Sequence, residues 1–354
     1  MRNSKLLFLA SLILIFGINL ITDYINPYYY QIIIYAGINI ILATSLNLIN
    51  GYTGQFSLGH AGFMAIGAYV SAAFSTYYAP LFISAFGDSG FGHVAMFLVV
   101  LIIGGIFASV VGLIVGVPSL RLKGDYLAIT TLGFSEIIRV VIQNLGFIGG
   151  SQGFRGVYIY ANGKSSLEMS SEFGDMAFQF YSIQKMTDFF WTFFFVAIII
   201  FAISNLMRST YGRGFVAVKD DEIAGEAMGI NTTKYKVTAF IMGAFFAGIA
   251  GGLYAHFIQY INPEDFNFLR SVEIVAMVIL GGMGSTLGVV IAAVILTLLP
   301  ELLRDIQEYR MIIYALLLII MMLVRPQGIF GVKIAKRKKI PGRKDIPDTK
   351  PIIK

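Results

Sequence analysis

SVEIVAMVILGGMGSTLGVVIAAVILTLL, residues 271–299, decides how this chain is built. As one α-helix it would be about 44 Å long at 1.5 Å per residue. The hydrocarbon core of a bilayer is about 30 Å thick. One straight pass is therefore too long, and Gly281-Gly282-Met283-Gly284-Ser285 interrupts its middle. Glycines in succession favour a break or a reversal. The stretch reads as a re-entrant hairpin or two short passes.

The rest of the chain supplies the solvent that such a segment needs. Of 354 residues, 57% are hydrophobic and only 13% charged, with a mean hydropathy of +0.77. Soluble domains carry about 25% charged residues. Further apolar segments lie at 6–22, 30–49, 57–79, 94–116, 126–143, 189–207, 237–258 and 311–324. Backbone polar groups in lipid must be paired internally, so these segments are helices or are shielded by helices. The expected fold class is all-α: a polytopic transmembrane bundle of about 9–10 spans with at least one broken or re-entrant segment. Arg2 and Lys5 before the run Leu6–Ile21 resemble a signal peptide. Ile21-Thr22-Asp23-Tyr24 offers no small-residue cleavage site, so an uncleaved first span is expected.

Loop charge orients the bundle. With the amino terminus in the cytoplasm, the cytoplasmic stretches are 50–56, 117–125 and 208–236. The last holds Arg208, Arg213, Lys219, Lys234 and Lys236. Segment 144–188 falls outside, with Glu168, Glu172, Asp175 and Asp188 against three basic residues. Single crossings alone would then leave the tail 333–354, with its nine Lys/Arg, on the outside. A break within 271–299 returns that tail to the cytoplasm through 311–324. The chain divides into a transmembrane domain, 1–332, and a basic, disordered cytoplasmic tail, 333–354.

Composition also excludes functions. There is no cysteine, and His60, His93 and His256 show no metal-ligand spacing. No nucleophile–base pair or phosphate-cradling loop is present, so no catalytic residue, metal site or cofactor is expected in this chain, and no nucleic acid is expected as a partner. Charges inside the spans are few: Glu136 and Arg139, three apart on one helix face, and Glu273 near a span end. A gradient-driven carrier needs carboxylates deep in its spans, so the energy comes from elsewhere. No deep charge offers to clamp a zwitterion.

Two glycine-rich segments, 51–71 and 239–256, carry small residues at helical spacing, including Gly59, Gly62 and Gly67 and Gly243, Gly248 and Gly252. Such residues let membrane helices approach backbone to backbone. Gly54, Gln55, Ser57 and His60 add polar atoms there, and with Gly281, Gly282, Gly284 and Ser285 they are the candidate lining of a translocation path. The order Gly54-Gln55-Phe56-Ser57-Leu58-Gly59 is faintly echoed by Gly284-Ser285-Thr286-Leu287-Gly288.

The hydrophilic stretch RSTYGRGFVAVKDDEIAGEAMGINTTKYKVT, 208–238, predicts a helix of about two turns. Asp220, Asp221 and Glu222 supply the N-cap and first-turn acids, and Gly229 the C′ position. A helix that short is marginal alone and needs a partner surface.

Here a resemblance enters. The pattern Glu222…Ala224-Gly225…Gly229-Ile230-Asn231 resembles the cytoplasmic loop by which ATP-binding-cassette importer permeases dock on their ATPases. NLINGYTGQFSLGH (47–60), PSLRLKGDYLAITTLGF (118–134), ILGGMGS (279–285) and RPQGIFG (325–331) resemble, in order, the motifs of the LivM-type permease family of branched-chain amino-acid importers. The long 144–188 segment and the lysine-rich tail depart from it. The resemblance implies a multi-pass protein of a bacterial or archaeal plasma (inner) membrane, both termini cytoplasmic. It implies a LivH-type permease partner, two ABC ATPase subunits and an extracytoplasmic solute-binding protein, with ATP and magnesium bound by the ATPases. It implies ATPase coupling through Asp220, Asp221, Glu222, Ala224, Gly225 and Gly229. Leucine, isoleucine and valine are the implied cargo. Importers of urea or short amides are similar, and an ion-gradient-driven carrier is the remaining alternative.

Overall fold

The computed structural model describes residues 2–81 and 90–304 apart from 121, 123, 161–163 and 168–177, together with Ile312, Leu316, Ile319 and Gly328. The expected span 311–324 and the basic tail thus lie outside the described residues, save those isolated positions.

The first helix, α1 (Arg2–Asn19), packs on α6 (Phe189–Arg208), where the rings of Phe8 and Phe201 meet. Helix α2 (Pro27–Asn47) begins where Asn26 accepts a bond from the Tyr28 amide and Pro27 fills the first turn. Its residues beyond Gly37 are all buried. An element apolar all round, as α2 is, belongs in the middle of a bundle. It runs on as a π-helical turn, Leu48–Tyr52, before the chain leaves helical geometry at 53–59. Such π segments are uncommon and concentrate at functional sites.

Helices α3 (His60–Tyr77), α4 (Gly90–Ser119) and α9 (Thr232–Ile258) form the tightest packing. A Cβ on Gly248 would come within 2.9 Å of the Gly104 carbonyl oxygen and the Gly105 Cα. Gly67 lies against Gly248 itself, so three backbones share one contact. Helix α5 (Asp125–Asn144) lies on α3, and Glu136 pairs with Arg139 at 2.8 Å. That pair is not self-contained: Arg139 also reaches Glu264 at 2.7 Å, and Gln143 donates to the same oxygen.

The segment that decided the fold is a hairpin of α10 (Phe268–Gly281) and α11 (Thr286–Leu302). At 14 and 17 residues they are about 21 and 25 Å long, each short of a full crossing. Gly282 and Gly284 take φ of +97° and +90° between them, values open to glycine.

Segment 144–188 was read only as a loop. It also carries a three-stranded antiparallel sheet in the order β2-β1-β3, with β1 Gly156–Tyr160, β2 Ser165–Ser166 and β3 Phe178–Ser182. Phe154 exchanges backbone bonds with Ile261 and ties the sheet to the end of α9.

Cross-links sort the connections onto two ends of the bundle. Tyr30 at the start of α2 accepts from the Phe189 amide at the start of α6, Tyr28 bonds Glu301, and His93 meets Gln184. At the other end lie 53–59, the loop after α7 (Thr210–Asp220) and the α10–α11 turn. Of the helices, Pro27–Tyr52, Gly92–Ser119, Phe189–Arg208 and Thr232–Ile258 are long and apolar enough to cross a membrane by length and composition.

Candidate translocation and coupling elements

The two breaks, 237 residues apart in sequence at Asn47 and Gly284, meet each other. Asn47 at the last turn of α2 accepts the Gly284 amide at 2.9 Å. The Tyr52 and Thr286 hydroxyls are 2.7 Å apart. Gly51 leaves no room for a side chain: a Cβ there would stand 2.5 Å from the Gly284 nitrogen. Into this junction comes Lys219, from the last turn of α7, whose Nζ donates to the Gly51 carbonyl at 2.6 Å. A carbonyl of an irregular turn has lost its helical donor, and a cation satisfies it.

One residue past α7 the coupling helix begins. Asp221 caps α8 (Glu222–Ala227) by accepting from the Ala224 amide at 3.0 Å. Gly229 has φ of +82°, and the Gly229 and Ile230 amides close the helix on Glu226 and Gly225. Asp220 differs from the reading above: it ends α7 instead of starting α8. Glu222 pairs with Lys236 of α9 at 2.6 Å, and Glu226 accepts from Thr232 at 2.6 Å. Both acids of α8 are thus tied to the first turns of α9. Beside the exposed Ala224, Glu226 and Ala227, α8 leaves Ile223 76% exposed, and Met228 just past its end is 82% exposed. Gly225 faces back, buried towards Ala217 and Thr232, while Ala224 is exposed.

The other candidate path residues divide. Gly54 and Gln55 line a cavity of about 360 Å³ shared with Lys219, Asp221 and Glu222. Gln55 is 5% exposed, and neither end of its amide has a partner among the described residues. Ser57 and His60 are fully buried and internally bonded. The Ser57 amide donates to Asn50, and His60 Nε2 lies 2.7 Å from the Ser45 hydroxyl. Gly281 packs on Val289, Gly282 lies against Gly328, and Ser285 caps α11 through the Gly288 amide. The structure therefore brings Gly54, Gln55, Gly284, Asp220, Asp221 and Glu222 around Lys219. Ser57, His60 and Gly281 stand in the packing behind it.

Reading the sequence missed Asn47 and Lys219, which make the junction. Asn47 was a signal in plain view, an amide at the end of an apolar helix. Lys219 looked like any basic loop residue. The charges at the opposite end were also undervalued. Arg270, Glu273, Asp265 and Glu301 line one cavity there, so ionisable groups do meet within the bundle.

Residues 28–322 match the family described as branched-chain amino acid transport system / permease component. The chain belongs to that family. It is 37% identical over 311 residues to the high-affinity branched-chain amino acid transport system permease protein LivM of Escherichia coli (strain K12), covering 82% of this chain and 67% of that protein. It is 27% identical to the probable LivM permease of Methanocaldococcus jannaschii, over 81% of this chain and 84% of that one. The LivH permease of Salmonella typhimurium is also 27% identical, over 82% and 90%. No solved structure matches. The family's permeases are polytopic helical proteins of the membrane, and the bundle, the hairpin and the two breaks are this member's version of it.

Proposed function

We propose that this chain is a membrane-spanning permease subunit of an ATP-driven importer of branched-chain amino acids, leucine, isoleucine and valine. In this reading it forms half of a pathway with a LivH-type permease. Two ATPase subunits hold the nucleotide and magnesium, and an extracytoplasmic binding protein delivers the cargo. The end bearing α8 faces the cytoplasm, together with both termini.

One observation carries the reading: α8 begins three residues after the lysine that bonds the π-turn of α2, and it presents the exposed apolar side chain of Ile223, with that of Met228 just past its end. Large apolar side chains on an otherwise charged surface mark a docking site. An ATPase groove that grips Ile223 and Met228 would move α8, and the Glu222–Lys236 pair would pass that motion to α9. Lys219 would pass it to Gly51, and Gly51 to the hairpin turn at Gly284. A ligand or motor shifts such a two-state element only through contacts that differ between the states. The Lys219–Gly51 bond is the first candidate for such a contact.

The test is ATP-dependent leucine uptake by the whole complex with Glu222→Gln and Gly229→Val. Both variants are expected to lower uptake and to weaken retention of the ATPase subunits on purification. Wild-type uptake with undiminished ATPase retention in both would remove the coupling role from this helix.

A further inference from the structure

At the end of α2 away from the coupling helix, a cavity of about 320 Å³ lies between α2, α9, α10 and α11. We propose that it is a binding site for the ammonium and carboxylate groups of a small zwitterionic amino acid with an apolar side chain. The inference rests on the importer reading and adds to it a place where the permease itself holds cargo.

The guanidinium of Arg270 lines the cavity and is held from two sides. Its Nη1 donates to Glu273 at 3.0 Å and its Nη2 to the Asn39 side-chain oxygen at 2.8 Å. Asn39 is only 4% exposed, and its amide donates onward to the Thr297 hydroxyl at 2.8 Å. The guanidinium is therefore oriented before any ligand arrives. A guanidinium has five N–H donors in a fixed fork. These bonds engage two of them, and a carboxylate is the group whose geometry matches the others.

Carboxylates line the same cavity: Asp265, Glu273 and Glu301. Glu301 is fixed by the Tyr28 hydroxyl, and Asp265 by the capping box of the short helix Pro263–Phe266. The acids outnumber the arginine that lines the cavity with them, which favours a ligand bearing a positive group. They do not converge on a point: among the described residues no three His, Cys, Asp or Glu side chains are placed to hold a metal ion. An ammonium has three donors, and one or two acceptors suffice for it. Met277 and Leu296 complete the wall with apolar surface for a side chain. The volume sits at the lower end of the range of about 300–1,000 Å³ usual for small-molecule sites.

Position gives the site a use. Tyr35 and Asn39 lie on average about 14 residues before Gly51, or about 21 Å along α2. Three of the elements around the cavity, α2, α10 and α11, also reach the junction. Helix α10 starts with Arg270 and Glu273 and ends at Gly281. Helix α11 starts with Thr286, bonded to Tyr52, and ends with Thr297 and Glu301. A ligand bridging α2 to the hairpin at one end bears on the same hairpin at the other.

The experiment uses the whole complex, purified without its binding protein, and follows its thermal stability against L-leucine, leucinamide and 4-methylpentanoate. Leucinamide lacks the carboxylate and 4-methylpentanoate the ammonium. Leucine is expected to stabilise the complex saturably, and both analogues to do so only at far higher concentration. Arg270→Gln and Glu273→Gln should raise the half-maximal leucine concentration about 10- to 100-fold, the range for losing a hydrogen bond to a charged group. Arg270→Lys should raise it less. Should Arg270→Gln fail to assemble, Thr297→Val, which only loosens Asn39, is expected to shift it several-fold. Equal stabilisation by leucine and leucinamide would make this a simple cation site and overturn the proposal. Unchanged leucine response in Glu273→Gln and Thr297→Val would overturn it too. Leucine uptake by the wild-type complex is measured alongside: its absence would sink the importer reading, whatever the cavity does.

Discussion

The two ends of α2 are built from opposite materials. Towards Pro27 the helix faces charged and hydroxyl side chains, Arg270, Glu301 and Thr297, around an open cavity. Towards Asn47 it faces backbone: the Gly51 carbonyl, the Gly284 amide and the glycines of the hairpin turn, packed to contact distance. Side chains on rotatable stems can adjust to a visiting ligand. Close-packed backbone cannot adjust gradually and has to move as a unit. One end is thus suited to recognition and the other to switching, joined by a buried helix that transmits position.

The comparison is broken most severely at the packed end. Gly51→Val places a branched side chain where the Gly284 nitrogen and the Asn47 side chain already sit. Overpacking of a filled core costs about 1–3 kcal/mol, and more where backbone is the obstacle. Loss of assembled protein from the membrane, or assembled protein without uptake, is the expected result. A change of similar size at the cavity end, such as Thr297→Val, should leave assembly intact. Comparing membrane-embedded amounts of the two variants checks this, and equal amounts with equal uptake would show that the junction is not tightly packed in the working state.

A smaller effect sharpens the roles. Lys219→Met keeps the stem and removes the bond to Gly51. The lysine is more than a third exposed, so this charge-assisted bond falls from the usual range of about 1.5–3 kcal/mol to about 1 kcal/mol. Since α8 and its cap are untouched, ATPase subunits should still bind and hydrolyse ATP. Uptake per ATP should fall about fivefold, the ratio that corresponds to 1 kcal/mol. A normal transport-to-hydrolysis ratio would place the mechanical link elsewhere, with Glu222–Lys236 next in line.

The sequence carried one half of this contrast far better than the other. The break at 282–285 was readable because a glycine run interrupts a segment too long for one pass, and because the basic tail forced the same conclusion from charge. The short helix α8 was readable because Asp221 and Gly229 act on their own neighbours. What joins them was not. Lys219 and Gly51 are 168 residues apart, and Arg270 and Asn39 are 231 apart. Neither residue of either pair has local chemistry that names its partner. Glu273 read only as a charge near a span end, and Arg270 and Glu301 carried no signal of their own, because their meeting depends on the hairpin bringing the start of α10 beside the end of α11. The sheet at 156–182 was hidden for a related reason: strands of two to five residues gain their hydrogen bonds from one another, not from any periodicity strong enough to read.

The smallest effect concerns Gln55, the one side chain at the packed end with an amide buried and unmatched at both its oxygen and its nitrogen. A buried polar group without partners costs about 1–3 kcal/mol. If Gln55 were only filling space, Gln55→Met would relieve that cost, raising the melting temperature and leaving uptake alone. If the amide finds partners when the junction opens, the same substitution stabilises the present state and takes those partners from the other. The arrangement around the 360 Å³ cavity, with Lys219 and the acids of α7 and α8 on its far wall, favours the second outcome. The expected signature is a melting temperature a few degrees higher with a modestly lower rate of leucine uptake. A higher melting temperature with unchanged uptake would make Gln55 a mere imperfection in the packing, and the switching end of α2 would then end at Gly51.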